Sequence, residues 1–236
     1  MTLINRIIQV WQRQARQNWV LLCGLAAVCA CLWLFLETTG EAGEGEHSRL
    51  EQGVLRSFRH ADDPGRLIGP HWVAEAARDF SALGGTSVTV FLTALVAGYL
   101  ACHRRKRVAV FVIVTIAGGG LLGLGLKHAF GRCRPTVVPY LMEATDASFP
   151  SGHSMNSTVV YLTLGILLAR STGNRMTRGY FIGSALLLSG LVGLSRVMLG
   201  VHYPTDVAAG WAAGTGWTLT CWITADLLRR RTGATQ

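Results

Sequence analysis

The chain has 236 residues, half of them hydrophobic and only 15% charged, with a formal net charge of +9. A soluble domain carries about a quarter charged residues, so a water-soluble globule is excluded. The basic excess lies in short clusters between long uncharged runs, and no soluble module offers nucleic acid a basic face.

The uncharged runs predict membrane-crossing helices over 19–36, 84–101, 108–126, 154–170, 180–199 and 206–227. Each is close to the roughly 20 residues a helix needs to cross hydrocarbon. The run at 154–170 is the shortest of the six and is semi-polar at its start, with Ser154, Asn156 and Ser157. The first run follows an 18-residue polar lead, which fits a retained anchor better than a cleaved signal peptide. After it comes the outer segment 37–83. Its start, Thr38 to Glu46, reads as a flexible acidic stretch. Apolar positions then recur at helical spacing over 47–60 (Leu50, Val54, Leu55, Phe58) and 71–82 (Trp72, Val73, Ala76, Ala77, Phe80). These predict two short amphipathic helices, lying on the membrane surface or packed over the bundle. Gly119–Gly123 and Gly210–Gly214 have the small-xxx-small spacing that lets helices pack closely, within the bundle or across a dimer. The six cysteines show no disulfide framework and no metal-type pairing.

Basic residues precede the first run (Arg6, Arg13, Arg16) and follow the last (Arg229, Arg230, Arg231). Others separate the second run from the third (Arg104, Arg105, Lys106, Arg107) and the fourth from the fifth (Arg170, Arg175, Arg178). That puts thirteen of the 22 basic residues on one side, with Asp226 the one acid there. By the positive-inside rule both termini are expected in the cytoplasm. Segments 37–83, 127–153 and 200–206 then share the outer side. The expected fold is all-α: a polytopic six-helix membrane bundle forming a single domain over 1–236, with short amphipathic helices in its first outer loop.

Three polar clusters fall at that outer side. Lys127, Arg134 and Arg196 stand at or near helix ends, where a cation either snorkels and caps or binds an anion. A phosphoryl group in transfer spreads charge over its oxygens, which guanidinium forks match. Pro150-Ser151-Gly152-His153 opens a helix, and free amides at a helix start seat a phosphate; an ordinary helix start has the same look. In His202-Tyr203-Pro204-Thr205-Asp206, the proline and aspartate are sound helix-start chemistry. His202, four residues before Asp206, can donate one ring N–H to that carboxylate and keep its other nitrogen as a nucleophile. His153 has no such neighbour and suits proton donation.

Lys127-x6-Arg134-Pro135, Pro150-Ser151-Gly152-His153 and Ser195-Arg196-x5-His202-x3-Asp206 together resemble the signature of the type-2 phosphatidic-acid phosphatase superfamily. That superfamily also includes the vanadium haloperoxidases and glucose-6-phosphatase. The motifs cover 127–206, all three complete and in order. The resemblance implies a mechanism without metal or other cofactor. His202 would be the nucleophile, Asp206 its orienting carboxylate and His153 the proton donor. Lys127, Arg134, Ser151, Gly152 and Arg196 would hold phosphate. The implied protein is a lipid phosphatase of the bacterial inner membrane with its site facing the periplasm or exterior. Its substrate would be a phospholipid or polyprenyl phosphate: undecaprenyl diphosphate, phosphatidic acid or phosphatidylglycerol phosphate. The same site would serve a lipid-to-lipid phosphotransferase or a lipid A phosphatase. A non-catalytic transporter or scaffold would have no use for His202, Asp206 and His153.

Overall fold

The computed structural model describes residues 3–41 and 45–233, with side chains for 19, 21–40 and 49–231. These residues form eight helices: α1 (Leu3–Glu41), α2 (Gly45–Ser57), α3 (Trp72–Ala82), α4 (Thr86–Cys102), α5 (Lys106–Phe130), α6 (Gly152–Ser171), α7 (Arg175–Met198) and α8 (Pro204–Gly233). The two short helices expected in the outer segment are α2 and α3, and each of the six apolar runs lies within or largely within one of the others.

α6 is the axis of the bundle and packs against α7, α8 and α5; α1 lies along α8, α4 along α5, and α3 along α7. Its burial explains its weak hydropathy. Ser154, Ser157, Thr158 and Thr163 are all buried, and the hydroxyls of Ser157 and Thr158 donate to the Ser154 carbonyl one turn back. A helix screened from lipid by its neighbours does not need an apolar surface. Lipid-type residues lie instead on outer faces, with Trp33, Phe91, Leu121 and Leu187 all more than half exposed.

Glycine sets the closeness of this packing. A Cβ on Gly210 would sit 2.7 Å from the Ser151 carbonyl oxygen, and one on Gly214 would sit 2.9 Å from that of Met155. α8 therefore meets α6 backbone to backbone, and the Gly210–Gly214 pair is used inside the bundle. Gly119 and Gly123 of α5 instead make room for the side chains of Val159 and Met155 of α6.

Leu21–Gly40, Lys106–Phe130 and Arg175–Met198 are each long and apolar enough to cross a bilayer alone. α3 and α4, bent by 50° at their junction, make a fourth crossing if taken as one broken span. α6 and α8 do not meet that measure, so length and apolarity give three or four crossings among the described residues where the sequence predicted six.

Two local expectations change. The stretch expected to be flexible from Thr38 is helical through Glu41, where the hydroxyls of Thr38 and Thr39 bond back to Phe35 and Leu36. Residues 42–44 lie outside the described residues, and 45–46 belong to α2. In α2 the buried face is also rotated from the expected one: Leu50 is 73% exposed and Val54 41%, while Glu51 and Leu55 are buried. Glu51 turns inward because it pairs with Arg132 of the loop after α5 and accepts from Thr205 in the first turn of α8. α3 packs against α7 over the bundle, with Ala77 and Ser81 buried.

Candidate active site

Four helix ends and one loop bring the three polar clusters together. α5 ends at Gly131, whose left-handed backbone (φ 54°) turns the chain into the loop carrying Arg132 and Arg134. α6 starts at Ser151, whose side-chain oxygen caps the helix by accepting from the Ser154 amide at 3.4 Å and the Ser154 hydroxyl at 2.9 Å. α7 ends beside Gly200 (φ 76°), a position where a Cβ would lie 2.7 Å from an Arg59 guanidinium nitrogen. Behind the start of α6, the rings of Phe35, Phe130 and Phe149 pack at centroid distances of 5.1–5.9 Å. This aromatic cluster joins α1, the end of α5 and the approach to α6, and fixes where Ser151 and Gly152 sit.

His202 is buried between Asp206 and Arg134. Its Nδ1 lies 3.4 Å from Asp206 Oδ2, and its Nε2 lies 3.2 Å from an Arg134 terminal nitrogen. A guanidinium can only donate, so Nε2 accepts and the ring proton belongs on Nδ1, facing the carboxylate. Burial pushes the imidazole down to about 4, against the opposing pull of Asp206, so it is neutral near pH 7. A neutral imidazole protonated on Nδ1 carries its lone pair on Nε2, here accepting from a guanidinium, and that is the protonation form a nucleophile at phosphorus requires.

Asp206 is completely buried and heavily bonded. Oδ2 accepts from the Ser148 hydroxyl and from the Tyr203 amide at 2.9 Å, and Oδ1 accepts from Arg132 at 2.7 Å. Ser148 also lies 3.4 Å from His202 Nδ1.

The predicted phosphate-binding cations form two groups. Lys127 and Arg134 share Asp146: each forms an ion pair with one oxygen of its carboxylate. Lys127 also donates to the Ala147 carbonyl at 2.9 Å, and Arg134 to the Val201 carbonyl at 2.7 Å. Arg196 is different. It is 2% exposed; one terminal nitrogen donates to the Ser81 hydroxyl at 2.7 Å, and among the described residues it has no carboxylate partner and its Nε has no hydrogen-bond partner. A buried guanidinium with an unused donor is set to receive an anion.

Gly152 places the first turn of α6 against this charge, since a Cβ there would lie 3.4 Å from Lys127 Cε. His153 follows, with Gly84 and Gly85 of the α3–α4 junction packed against it; a Cβ on Gly85 would be 3.9 Å from His153 Nε2. The charges of Arg196, His202, Lys127 and Asp146 all act on this ring. The eight residues expected from the sequence therefore come together where α5 and α7 end and α6 and α8 begin. Three more side chains that the sequence reading did not single out bond these residues directly, Ser81, Asp146 and Ser148, while Glu51 lies behind Asp206 on Arg132. Ser148 has a signal, standing three residues before Ser151. Asp146 has one too, as one of two acids, with Glu143, in a loop of cations.

This arrangement of helices and side chains defines an all-helical membrane protein of the phosphatase class. The sequence pattern of the PAP2 superfamily matches residues 108–230. Phosphatidylglycerophosphatase B of Bacillus subtilis is 32% identical over 153 residues, covering 63% of this chain and 73% of that protein. Lipid A 1-phosphatase of Rhizobium etli is 36% identical over 119 residues, 47% of each chain, so the match spans about half of that relative. The crystal structure of a transmembrane PAP2-type phosphatidylglycerolphosphate phosphatase from Bacillus subtilis aligns with a TM-score of 0.76 and 24% identity. That alignment covers 84% of this chain and 96% of the other, a likeness of fold. The chain belongs to the PAP2 superfamily.

Proposed function

We propose that this protein removes phosphate from a membrane lipid through a covalent phosphohistidine on His202. The observation that carries the reading is the position of His202, with Nδ1 facing Asp206 and Nε2 facing Arg134. The lone pair on Nε2 attacks phosphorus and the bond from phosphorus to the lipid oxygen breaks. The positive charge that forms on the ring lies beside the Asp206 carboxylate. Lys127, Arg134 and Arg196 take the equatorial oxygens, with the Gly152 amide and the Ser151 hydroxyl at the start of α6. A phosphate dianion among these cations favours a proton on His153, which passes to the departing oxygen. Water then attacks phosphorus, His153 takes its proton, and His202 is released with inorganic phosphate.

The pairing of Lys127 and Arg134 with Asp146 supports their part, since these two side chains already hold an anion of the chain itself. The basic residues gathered at the other helix ends support a topology with cytoplasmic termini and a site on the periplasmic or outer face. A site at helix ends suits a substrate whose phosphate lies at headgroup depth and whose tail stays in lipid. The substrate class is a lipid phosphomonoester or diphosphate, of the polyprenyl or glycerophospholipid type.

The test is phosphate release from a panel of lipid mono- and diphosphates in detergent or vesicles, with a chelator present. The wild type is expected to turn over at least one of them and His202→Ala none. Equal hydrolysis by His202→Ala excludes the mechanism.

A further inference from the structure

Arg132 stands two residues from Arg134 but points the other way. It bonds Asp206 Oδ1, on the oxygen not used by His202, and so reaches the carboxylate from behind. Its second terminal nitrogen donates to Glu51 Oε2 at 2.9 Å, the first also donates to the Thr205 hydroxyl at 2.9 Å, and the guanidinium lies 4.3 Å from the Tyr203 ring centroid. Glu51 is itself 6% exposed. Its other oxygen accepts from the Thr205 hydroxyl and, at 3.2 Å, from the Thr205 amide in the first turn of α8. A carboxylate there is favoured by the helix dipole.

We infer that Glu51 and Arg132 form a buried positioning relay for Asp206, and that α2 of the outer segment is thereby a working part of the active site. The inference rests on the proposed role of Asp206 and extends it to the residues that hold it. Asp206 has no contact with water, and a buried carboxylate without a cation is strongly disfavoured. Arg132 supplies that cation and leaves Oδ2 for His202. Alone, Arg132 would cancel the negative charge that His202 needs as it becomes cationic. Glu51 restores it: the triplet of Glu51, Arg132 and Asp206 carries one net negative charge. Neither residue touches the space enclosed by Lys127, Arg134 and Arg196, so their action is on the histidine and not on phosphate.

The sign of the effect separates this relay from a structural brace. The groups facing His202 are Asp206 and Ser148, with Arg134, Arg196 and His153 on the other elements around it. Glu51→Gln removes a negative charge behind Asp206 and should move the acid limb of kcat/KM to lower pH. Arg132→Gln removes a positive one and should move it to higher pH. Both should lower kcat by about 10–100-fold, the usual cost of losing a group that orients a reacting one. KM and inhibition by inorganic phosphate should stay within about threefold. Arg132→Lys, which keeps the charge, should recover part of the loss.

The experiment is a set of pH–rate profiles for full-length wild type, His202→Ala, Glu51→Gln, Arg132→Gln and Arg132→Lys. Rates are normalised to folded protein by thermal melts of the detergent-solubilised samples. Opposite displacements of the acid limb with kcat falling and KM held support the relay. Where one glutamine variant does not fold, the other and Arg132→Lys carry the test. Unmoved profiles, or losses that vanish on normalisation, overturn it. A rise in KM and in the phosphate inhibition constant for Arg132→Gln, with kcat unchanged, overturns it in favour of direct phosphate contact. Turnover by His202→Ala defeats the underlying mechanism instead, a result distinct from all of these.

Discussion

Arg134 donates toward His202 Nε2 at 3.2 Å, so the nitrogen proposed to attack phosphorus and a guanidinium proposed to hold it are neighbours before any substrate arrives. The contact fixes the imidazole tautomer and keeps the lone pair directed at the anion space. Substrate phosphate has to enter between two groups already in place, which is preorganisation in its simplest form.

The first prediction concerns pH. Burial holds the His202 imidazole at about 4, below its ordinary 6.5. The acid limb of kcat/KM, which reports the free enzyme, is expected near pH 4. The stability consequence has a definite sign. Between 6.5 and 4 the unfolded chain binds a proton at this residue and the folded one does not, so stability declines as pH falls through that window. It is fully regained above 6.5. A pH–rate profile and thermal melts from pH 4 to 8 check both.

Asp146 gives a second prediction. Burial alone would raise its carboxyl, but the hydrogen bonds and charges of Lys127 and Arg134 hold it down to about 2, so it is ionised throughout any assay. As an internal anion on two phosphate-binding cations, it competes with substrate. Asp146→Asn is expected to tighten inhibition by inorganic phosphate by about two- to tenfold, the range set by partly exposed ion pairs. Weaker phosphate inhibition would mean that Asp146 holds the two cations in position instead of opposing the ligand.

Of the three proposed phosphate-binding cations, Arg196 is the one with a buried donor that has no partner among the described residues. Arg196→Gln should lower kcat by about 10²–10³-fold, the typical effect of losing one donor to a transition-state oxygen. The Ser81 hydroxyl holds that guanidinium at 2.7 Å, so Ser81→Ala should give a smaller loss in the same parameter. Steady-state kinetics on matched protein concentrations decides it.

The α6–α8 contact can be tested by volume. Gly210→Val places a branched side chain where the first carbon alone would be 2.7 Å from the Ser151 carbonyl oxygen and 2.9 Å from Ser154 Cβ. Overpacking of this kind costs about 1–3 kcal/mol. Because the Ser151 amide donates to the Asp206 carbonyl at 2.9 Å, activity should fall along with the melting temperature. The control is Gly120→Ala, whose added carbon meets nothing within 4 Å.

Much of this arrangement was legible in the chain because charge near a bilayer is costly and stands out. The apolar runs predicted the long helices, and the two short helices of the outer segment followed from the spacing of Leu55 and Phe58 and of Val73 and Ala77. Residues at helix ends, such as Lys127, Ser151 and Arg196, could be grouped because the expected topology puts those ends on one side. Glu51 could not. Its partners Arg132 and Thr205 lie 81 and 154 positions away, and helical periodicity ranks an acid as outward-facing. Ser81 escaped notice for the same reason. The run at 154–170 is semi-polar at its start because hydropathy measures contact with lipid, while α6 is wrapped by other helices.

The most direct test of the central claim is rapid quenching of the enzyme with a ³²P-labelled lipid phosphate, followed by alkaline proteolysis and mapping of the label. The account predicts an acid-labile, base-stable phosphate on the peptide carrying His202, formed in the first turnover and absent from His202→Ala. Label on His153, or single-turnover hydrolysis with no protein-bound phosphate at any time point, would contradict it.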